Sequence, residues 1–407
     1  MTFADFILQH EADDPVRLLL SRDKYPDLDI DLAATTLEVR RKLRTKVPEW
    51  YAVPSLVYPS RLSGEQCSSS ETARYKALVC GSSVVPAKER LRIADLTGGM
   101  GVDAWAFAKV AKEVLYNEMQ EDLVRATELN FSELGVLNVR FRNCRVEPGK
   151  VREVLDGFQP DVIFLDPARR AGDGRKVFLI EECQPDVPGL LPELFETCRF
   201  VMLKLSPMAD ITMACKRLGT HVKEVHVVAA GGECKELLFL LDRDWEGTPA
   251  TFIVESGAVM EISGQAGNDD AGMGFGLPKA GDCLFEPGKA LAKAGAFRLP
   301  CSRFGLTKLG NHTHLYVGEA VPEGLNLFGK WFEVLEVLPL NNRTMKEAGK
   351  RWPQAEVTAR NVPMTSDQLR RKLGCASGGD IHLFGVRADA AEAGNYLIVT
   401  RKRYGSD

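Results

Sequence analysis

An apolar run, Leu91-Arg92-Ile93-Ala94, delivers Asp95 to the start of Leu96-Thr97-Gly98-Gly99-Met100-Gly101. This reads as a strand breaking into a tight turn, where glycines let the backbone approach a ligand closely. Ligands of open α/β sheets bind beyond the carboxyl ends of strands, which is where such a turn lies. Val114-Leu115-Tyr116-Asn117 carries a second carboxylate, Glu118, to the tip of a second strand. A third carboxylate ends another apolar strand, in Ile163-Phe164-Leu165-Asp166-Pro167-Ala168-Arg169. Asp166 can accept a hydrogen from an amine, and the Pro167 carbonyl can take a second. Proline also stiffens the turn. Arg169 can clamp a phosphate or stack on a base.

Two ligands compete for the glycine turn. Gly99-x-Gly101-x-x-Ala104 matches the dinucleotide pattern, with Glu118 seventeen residues after Gly101. Asp95 opposes that reading, because it would face a pyrophosphate that is already negative. S-adenosylmethionine suits the pattern better. Asp95 can balance its ammonium, and the N–H groups of the turn can meet its carboxylate. Glu118 can accept both ribose hydroxyls. The predicted cofactor turn comprises Thr97, Gly98, Gly99, Gly101 and Asp103. The third strand ends at Asn143-Cys144, where many methyltransferases carry an acid toward the adenine amine. Gln66, Ser69 and Thr72 precede the first strand, placed either to close the cofactor pocket or simply to start a helix. Ser69-x-x-Thr72 is not a full capping box.

These residues need a scaffold, and the chain alternates strand and helix to supply it. Strands are expected at 91–96, 114–118, 138–143, 161–166, 200–205, 222–228 and 236–242. Helices are expected at 101–111, 120–135, 148–157, 189–197 and 208–218. Alternation of this kind builds a parallel sheet covered on both faces. Ala229-Ala230-Gly231-Gly232-Glu233-Cys234 is too short for a crossover, so the last strand must be antiparallel. The fold class is therefore α/β, with a Rossmann-like class I methyltransferase domain whose seven-stranded sheet ends antiparallel. Domains are expected at 1–85 (helical), 86–261 (methyltransferase), 262–283 (a glycine-rich linker), 284–322 and 323–407. The last two read as mixed α/β, with strands at 313–317, 331–338, 355–359, 381–386 and 395–401. Helices there are expected at 287–295, 343–349 and 365–373.

Composition excludes several classes. The ten cysteines form no C-x-x-C pair, so neither a zinc site nor any other metal site is expected. The N-terminus has no basic segment and no apolar run spans a bilayer, so a cytoplasmic protein without a membrane anchor is expected. Residues 284–407 hold 18 Lys and Arg against 12 Asp and Glu, while the rest holds 34 against 44. A basic C-terminal third on an acidic body suggests a polyanion as partner.

The Asp166 motif resembles two groups of nucleic-acid methyltransferases. Amino-methylating enzymes carry a second proline and an aromatic where this chain has Ala168 and Arg169. RNA uracil-5 methyltransferases carry Asp-Pro-x-Arg-x-Gly, close to Asp166-Pro167-Ala168-Arg169-Arg170-Ala171-Gly172. That chemistry needs a thiolate at the tip of the fifth strand. Leu205 occupies the place, and Cys198 and Cys215 lie elsewhere, so that route is rejected.

Over most of its length the chain resembles the bacterial family of class I methyltransferases with a C-terminal THUMP-like domain. The matching residues include Gln66-Cys67-Ser68-Ser69-Ser70-Glu71-Thr72-Ala73, Asp95 to Gly101, Asp166 to Arg170 and Gly232-Glu233-Cys234-Lys235-Glu236-Leu237. Further on they include Glu286-Pro287-Gly288-Lys289, Asn311-His312-Thr313-His314 and Arg360-Asn361-Val362-Pro363. The resemblance implies a ferredoxin-like subdomain near 284–322 and a THUMP-like module near 323–400. It points to S-adenosylmethionine as cofactor and RNA as partner, and the Asp166-Pro167-Ala168-Arg169 rim with the basic C-terminal module suggests methylation of a base nitrogen in tRNA or rRNA. A non-catalytic RNA-binding protein, and a methyltransferase for a small molecule or protein, remain the alternatives.

Overall fold

The computed structural model describes residues 1–84, 91–169, 180, 183–263 and 274–403, the Arg169 side chain excepted. The chain folds as two units, Met1–His226 with Lys235–Pro249, and Val227–Cys234 with Ala250–Asp407.

The first unit is built on β1 (Arg92–Asp95), β2 (Glu113–Asn117), β3 (Val139–Arg142), β4 (Val162–Leu165) and β5 (Phe200–Leu205). It also holds most of β7 (Glu233–Asp242) and the start of β6 (Val222–Ala230). Their order is β3-β2-β1-β4-β5-β7-β6. The first five strands run parallel to one another. β7 runs antiparallel to β5, with Leu237 opposite Leu205. The turn before β7 explains the reversal. Gly231 and Gly232 take φ of 59° and 77°, which reverses the chain within two residues. All seven expected strands are present, and the antiparallel one inserts between β5 and β6.

β1, β2 and β4 run almost fully buried, as does β7 from Glu236 to Asp242, in the manner of strands covered on both faces. Ile93, Val114, Phe164, Met202 and Leu240 form one core with Trp50, Tyr58 and Trp105. Trp50 meets Trp105 edge-on at 6.0 Å between ring centres. Helices Ile30–Lys46 and Ser70–Ser83 add Val39, Leu43, Ala73 and Ala77 to this core, while Phe6, Ile7, Leu18, Ile30, Ala33 and Leu37 form a second cluster among the N-terminal helices. Helix Ser70–Ser83 corrects one expectation. Ser69 and Thr72 make a full reciprocal capping box, because the Thr72 hydroxyl reaches back to accept from the Ser69 N–H at 3.2 Å.

The second unit opens with a hairpin, β8 (Ala250–Glu255) and β9 (Ala258–Glu261), which sequence reasoning missed. Its main sheet uses β10 (Cys283–Pro287), β11 (Thr307–Gly310), β12 (Thr313–Gly318) and β13 (Gly329–Pro339). β14 (Glu356–Arg360), β15 (Ile381–Ala388) and β16 (Gly394–Lys402) complete it, in the order β11-β12-β10-β13-β16-β15-β14. β10 pairs with both β12 and β13, so the segments before and after residue 323 share one sheet. Cys283, expected at the end of a linker, is a buried strand residue. The linker's centre, 264–273, lies outside the described residues. No helix among the described residues is long and apolar enough to cross a membrane.

Candidate active site

Two adjoining cavities open at the carboxyl ends of the strands in the first unit. The smaller is a cleft of about 170 Å³ lined by Thr97, Gly98, Gly99, Asp103, Glu118 and Cys144, among others. The larger is a chamber of about 540 Å³ with an apolar wall that includes Leu62, Leu205 and Met213. Gln66, Asp166 and Ala168 line both.

The cleft is shaped by the glycine turn. A Cβ on Gly98 would sit 2.2 Å from the Tyr116 ring, and one on Gly101 would sit 2.6 Å from Thr127 Cγ2. Gly99 has φ of 54° and open space where a side chain would be. Its N–H donates to Glu118 at 3.0 Å, and the Gln120 N–H donates to the other Glu118 oxygen at 2.9 Å. Two backbone donors thus hold the Glu118 carboxylate at the cleft wall.

Asp95 is buried behind the turn. One oxygen accepts from the Thr97 N–H at 3.1 Å, and the other has no partner among the described residues. Burial, followed by the nearby Asp103 carboxylate, pushes its pKa well above the ordinary carboxylate value. A buried carboxylate with an empty acceptor position suits an incoming cation. Thr97 Oγ1 accepts from the Asp166 N–H at 2.6 Å, which ties the end of β4 to the turn after β1.

Sequence reasoning missed two of the parts that hold these groups in place, Lys76 and Asn117. Lys76 is fully buried and donates to Ser68 Oγ at 2.9 Å and to both Glu236 oxygens. It also stands 3.1 Å from Asp103, which accepts from Ser68 at 2.8 Å. Asn117 clamps three strand ends, donating to the carbonyls of Leu96 and Cys144, both at 3.0 Å, and accepting from the Cys144 N–H. Lys204, at the end of β5, pairs with Asp166. No motif marks Lys76 or Asn117, because each acts through burial rather than through neighbours in sequence.

The predicted residues divide as follows. Gln66, Thr97, Gly98, Gly99, Asp103, Glu118, Cys144 and Asp166 line the cleft. Pro167 lines the chamber. Asp95 and Gly101 are buried and are not among the cleft's walls. Two expectations need correction. Asn143 is exposed and donates to the Glu118 carbonyl at 2.8 Å, so it braces the strand tip instead of lining the cleft. Ser69 and Thr72 spend their hydroxyls on the capping box. The Arg169 side chain lies outside the described residues, and its backbone pairs with Cys183, a chamber residue that no motif suggested. Cys198 is buried, and burial pushes its thiol up to about 11, which agrees with rejecting a thiolate role for it.

A crystal structure of a provisionally assigned methyltransferase from Porphyromonas gingivalis W83 superposes with a TM-score of 0.81. It is 30% identical to this chain, over 99% of this chain and 98% of that one. The chain belongs to the class I S-adenosylmethionine-dependent methyltransferases with a C-terminal THUMP-like domain. A THUMP domain-like family matches residues 329–402, and a ferredoxin-like domain family matches residues 284–324. An uncharacterised S-adenosylmethionine-dependent methyltransferase of Mycobacterium tuberculosis strain H37Rv is 26% identical over 312 residues, covering 76% of this chain and 78% of the relative. An uncharacterised RNA methyltransferase of Enterococcus faecalis is 32% identical over 94 residues, covering 23% of this chain and 21% of the relative. As a member of this methyltransferase family the protein is an enzyme, and its cofactor is S-adenosylmethionine. The cleft's donor set fits that cofactor. The open space at Gly99 admits it, the Glu118 carboxylate at the wall suits a diol, and an unpartnered Asp95 oxygen lies buried behind the turn.

Proposed function

We propose that this methyltransferase modifies a nitrogen of a base in structured RNA, tRNA or rRNA, and that the cleft holds the cofactor while the chamber holds the acceptor. The observation that carries this reading is the position of Asp166. It lines both cavities, so any methyl passing from cleft to chamber passes this carboxylate. In this reading Asp95, Asp103, Thr97, Gly98, Gly99 and Gly101 receive the methionine part of the cofactor. Glu118 takes the ribose, Cys144 borders the base, and Gln66 covers the seam.

Bound there, S-adenosylmethionine supplies an electrophilic methyl. The remaining tasks belong to the protein: to orient the acceptor within about 3–3.5 Å of that methyl and to exclude water. Asp166 accepts the hydrogen of the acceptor amine and aims its lone pair. Pro167 fixes the turn that presents Asp166. The chamber's volume falls in the range of small-molecule pockets, about 300–1,000 Å³, so it admits a single extruded base and not a duplex. The match to a THUMP-like domain and the basic C-terminal third support RNA as the partner. A cytoplasmic location, with 284–322 and 323–407 acting together on RNA, belongs to the same reading.

The test is comparative nucleoside mass spectrometry of total RNA from cells with and without the gene. One methylated nucleoside should disappear and return when the gene is restored. If every methylated nucleoside persists at its normal level, RNA is not the acceptor.

A further inference from the structure

Among the described residues, the charged side chains that line the chamber are Asp166, Asp210, Lys204, Arg217 and Lys235, three cations against two carboxylates. Asp166 is paired with Lys204, and Asp210 accepts from the Met213 N–H at 2.8 Å as the cap of helix Ile211–Leu218. The other two cations, Arg217 and Lys235, are exposed. They reach the chamber from different elements. Asp210, Met213, Ala214 and Arg217 line it at spacings of three and four, so one stripe of the helix faces the cavity. Met213 brings apolar surface to that stripe, and Arg217 brings a cation one turn further on. Lys235 comes from β7, which pairs antiparallel with β5 so that Leu237 stands opposite Leu205. Two residues earlier, Lys235 lies just past the tip of β5.

Arg217 and Lys235 line the chamber but not the cleft, whereas Asp166 lines both. The cations that could recognise an anion are therefore set apart from the seam where a methyl would cross. A nucleotide has the same layout, with a flat base at one end, a phosphate at the other and a sugar between. The apolar surface of Leu62, Leu205 and Met213 suits the base. No aromatic side chain lines the chamber among the described residues, so these aliphatic groups would have to grip the base by themselves. A guanidinium fork matches two phosphate oxygens at once, and an ammonium adds a point charge beside it.

We propose that Arg217 and Lys235 form a phosphate subsite of the chamber, so that the enzyme takes its acceptor as a phosphorylated nucleotide and not as a bare base or nucleoside. The inference rests on the chamber holding the acceptor. No bond to phosphorus forms or breaks, and the phosphate serves as a handle. Held at the mouth, it limits how the base can turn on its sugar and so which edge of the base meets Asp166. Orientation of that kind lowers the barrier without touching the reacting atoms.

The experiment follows labelled methyl transfer from S-adenosylmethionine to total RNA from cells lacking the gene, with the full-length enzyme. The competitors are the same RNA digested to nucleoside 5′-monophosphates, and that digest after phosphatase treatment and desalting. In the wild type the monophosphates should compete roughly tenfold better than the nucleosides, the size of two charge contacts at an exposed rim. The double variant Arg217→Gln/Lys235→Gln should erase that difference and raise KM for RNA roughly tenfold, with kcat changing less than KM. It should also reduce the slope of log(kcat/KM) against log salt by about 1.5, two phosphate contacts' worth. Arg217→Lys, which keeps the charge, should keep most of the affinity for RNA. Thermal unfolding and calorimetric affinity for S-adenosylmethionine should match the wild type in each variant, which a merely structural loss would not allow. Equal competition by monophosphates and nucleosides in the wild type, or a double variant with the wild-type KM and salt slope, overturns the proposal and leaves RNA standing as the acceptor. Transfer to the 5′-monophosphates but not to RNA overturns RNA as the acceptor and supports the phosphate subsite. Transfer to neither overturns both.

Discussion

Lys76 donates to both carboxylate oxygens of Glu236, at 2.8 and 2.9 Å, and neither side chain reaches solvent to any useful extent. The pair joins helix Ser70–Ser83 to β7, elements 160 residues apart. Burial raises the Glu236 pKa, while Lys76 and Lys204 pull it back down. A buried pair of this kind is poor evidence of net stabilisation, but removing one partner strands the other.

Lys76→Met should therefore cost about 3–5 kcal/mol in urea unfolding, the usual price of an uncompensated buried charge. It should also weaken S-adenosylmethionine binding, because Lys76 orients Ser68 and Asp103 on the cleft wall. The double variant Lys76→Met/Glu236→Leu should recover part of the stability and little of the affinity. A single variant within about 1 kcal/mol of wild type would show that the charges do not need each other.

At Gly98 the limit is space. A Cβ there would need the Tyr116 ring to move, yet that ring's hydroxyl donates to the Gly99 carbonyl at 2.5 Å and so holds the turn. Gly98→Ala should lose about 1–3 kcal/mol of stability, as overpacking does, and roughly tenfold in cofactor affinity. Gly99→Ala has room but starts from φ of 54°, so it should cost about 1–2 kcal/mol of backbone strain. Equal affinities for wild type and Gly98→Ala, measured by calorimetry, would remove the turn from the cofactor site.

The parallel strands and the glycine turn were legible because apolar runs end in residues that only a strand tip or a tight turn explains. Asp95, Glu118 and Asp166 all stand at such ends. What was not legible is the support behind them. Lys76 looks like an ordinary helix lysine, and only the fold brings Glu236 and Asp103 to it. Asn143 looked like a base contact because it follows a strand, but its amide is taken by the Glu118 carbonyl. Ser69 and Thr72 seemed available to a ligand, although a threonine at the third helical position can close the capping box that a glutamate usually closes. The β8–β9 hairpin escaped notice because Thr251-Phe252-Ile253-Val254 and Val259-Met260 are short runs beside a glycine-rich stretch.

His382 makes the second unit sensitive to acid. It stacks on Phe384 with ring centres 4.1 Å apart, and its Nε2 shares a hydrogen bond with Thr358 at 2.8 Å. Burial lowers its pKa from the model-peptide value of 6.5 to about 4. The unfolded chain therefore takes up a proton that the folded one refuses, and stability is full above about pH 6.5 and lost as pH falls toward about 4. His382→Gln keeps a group able to bond Thr358 but cannot titrate. Urea midpoints of the wild type should fall between those two pH values more steeply than those of the variant. Parallel slopes would assign the acid loss to other groups.

The basic face of the second unit gives the sharpest test of RNA as partner. Helices Asn342–Arg351 and Ser366–Leu373 bury Met345, Ala348, Leu369 and Leu373 in one core. Gly349 lets them approach, since a Cβ there would sit 1.6 Å from the Leu373 carbonyl. Their outer surfaces leave Lys346, Lys350, Arg371 and Lys372 exposed, and none has an ion-pair partner among the described residues. Arg343 and Arg351, by contrast, are paired with Glu347 and Glu336. Cations that are not already paired can release phosphate counterions on binding, with a salt slope of about 0.7–0.9 per phosphate. Replacing all four by alanine should weaken binding to total tRNA at low salt and reduce the slope of log affinity against log salt by about 3. Replacing Arg343 and Arg351 should change the slope by less than about 1. Cofactor affinity should not change in either variant, which separates a lost RNA surface from a damaged fold. If all four substitutions leave the salt slope as it was, RNA does not bind through this face.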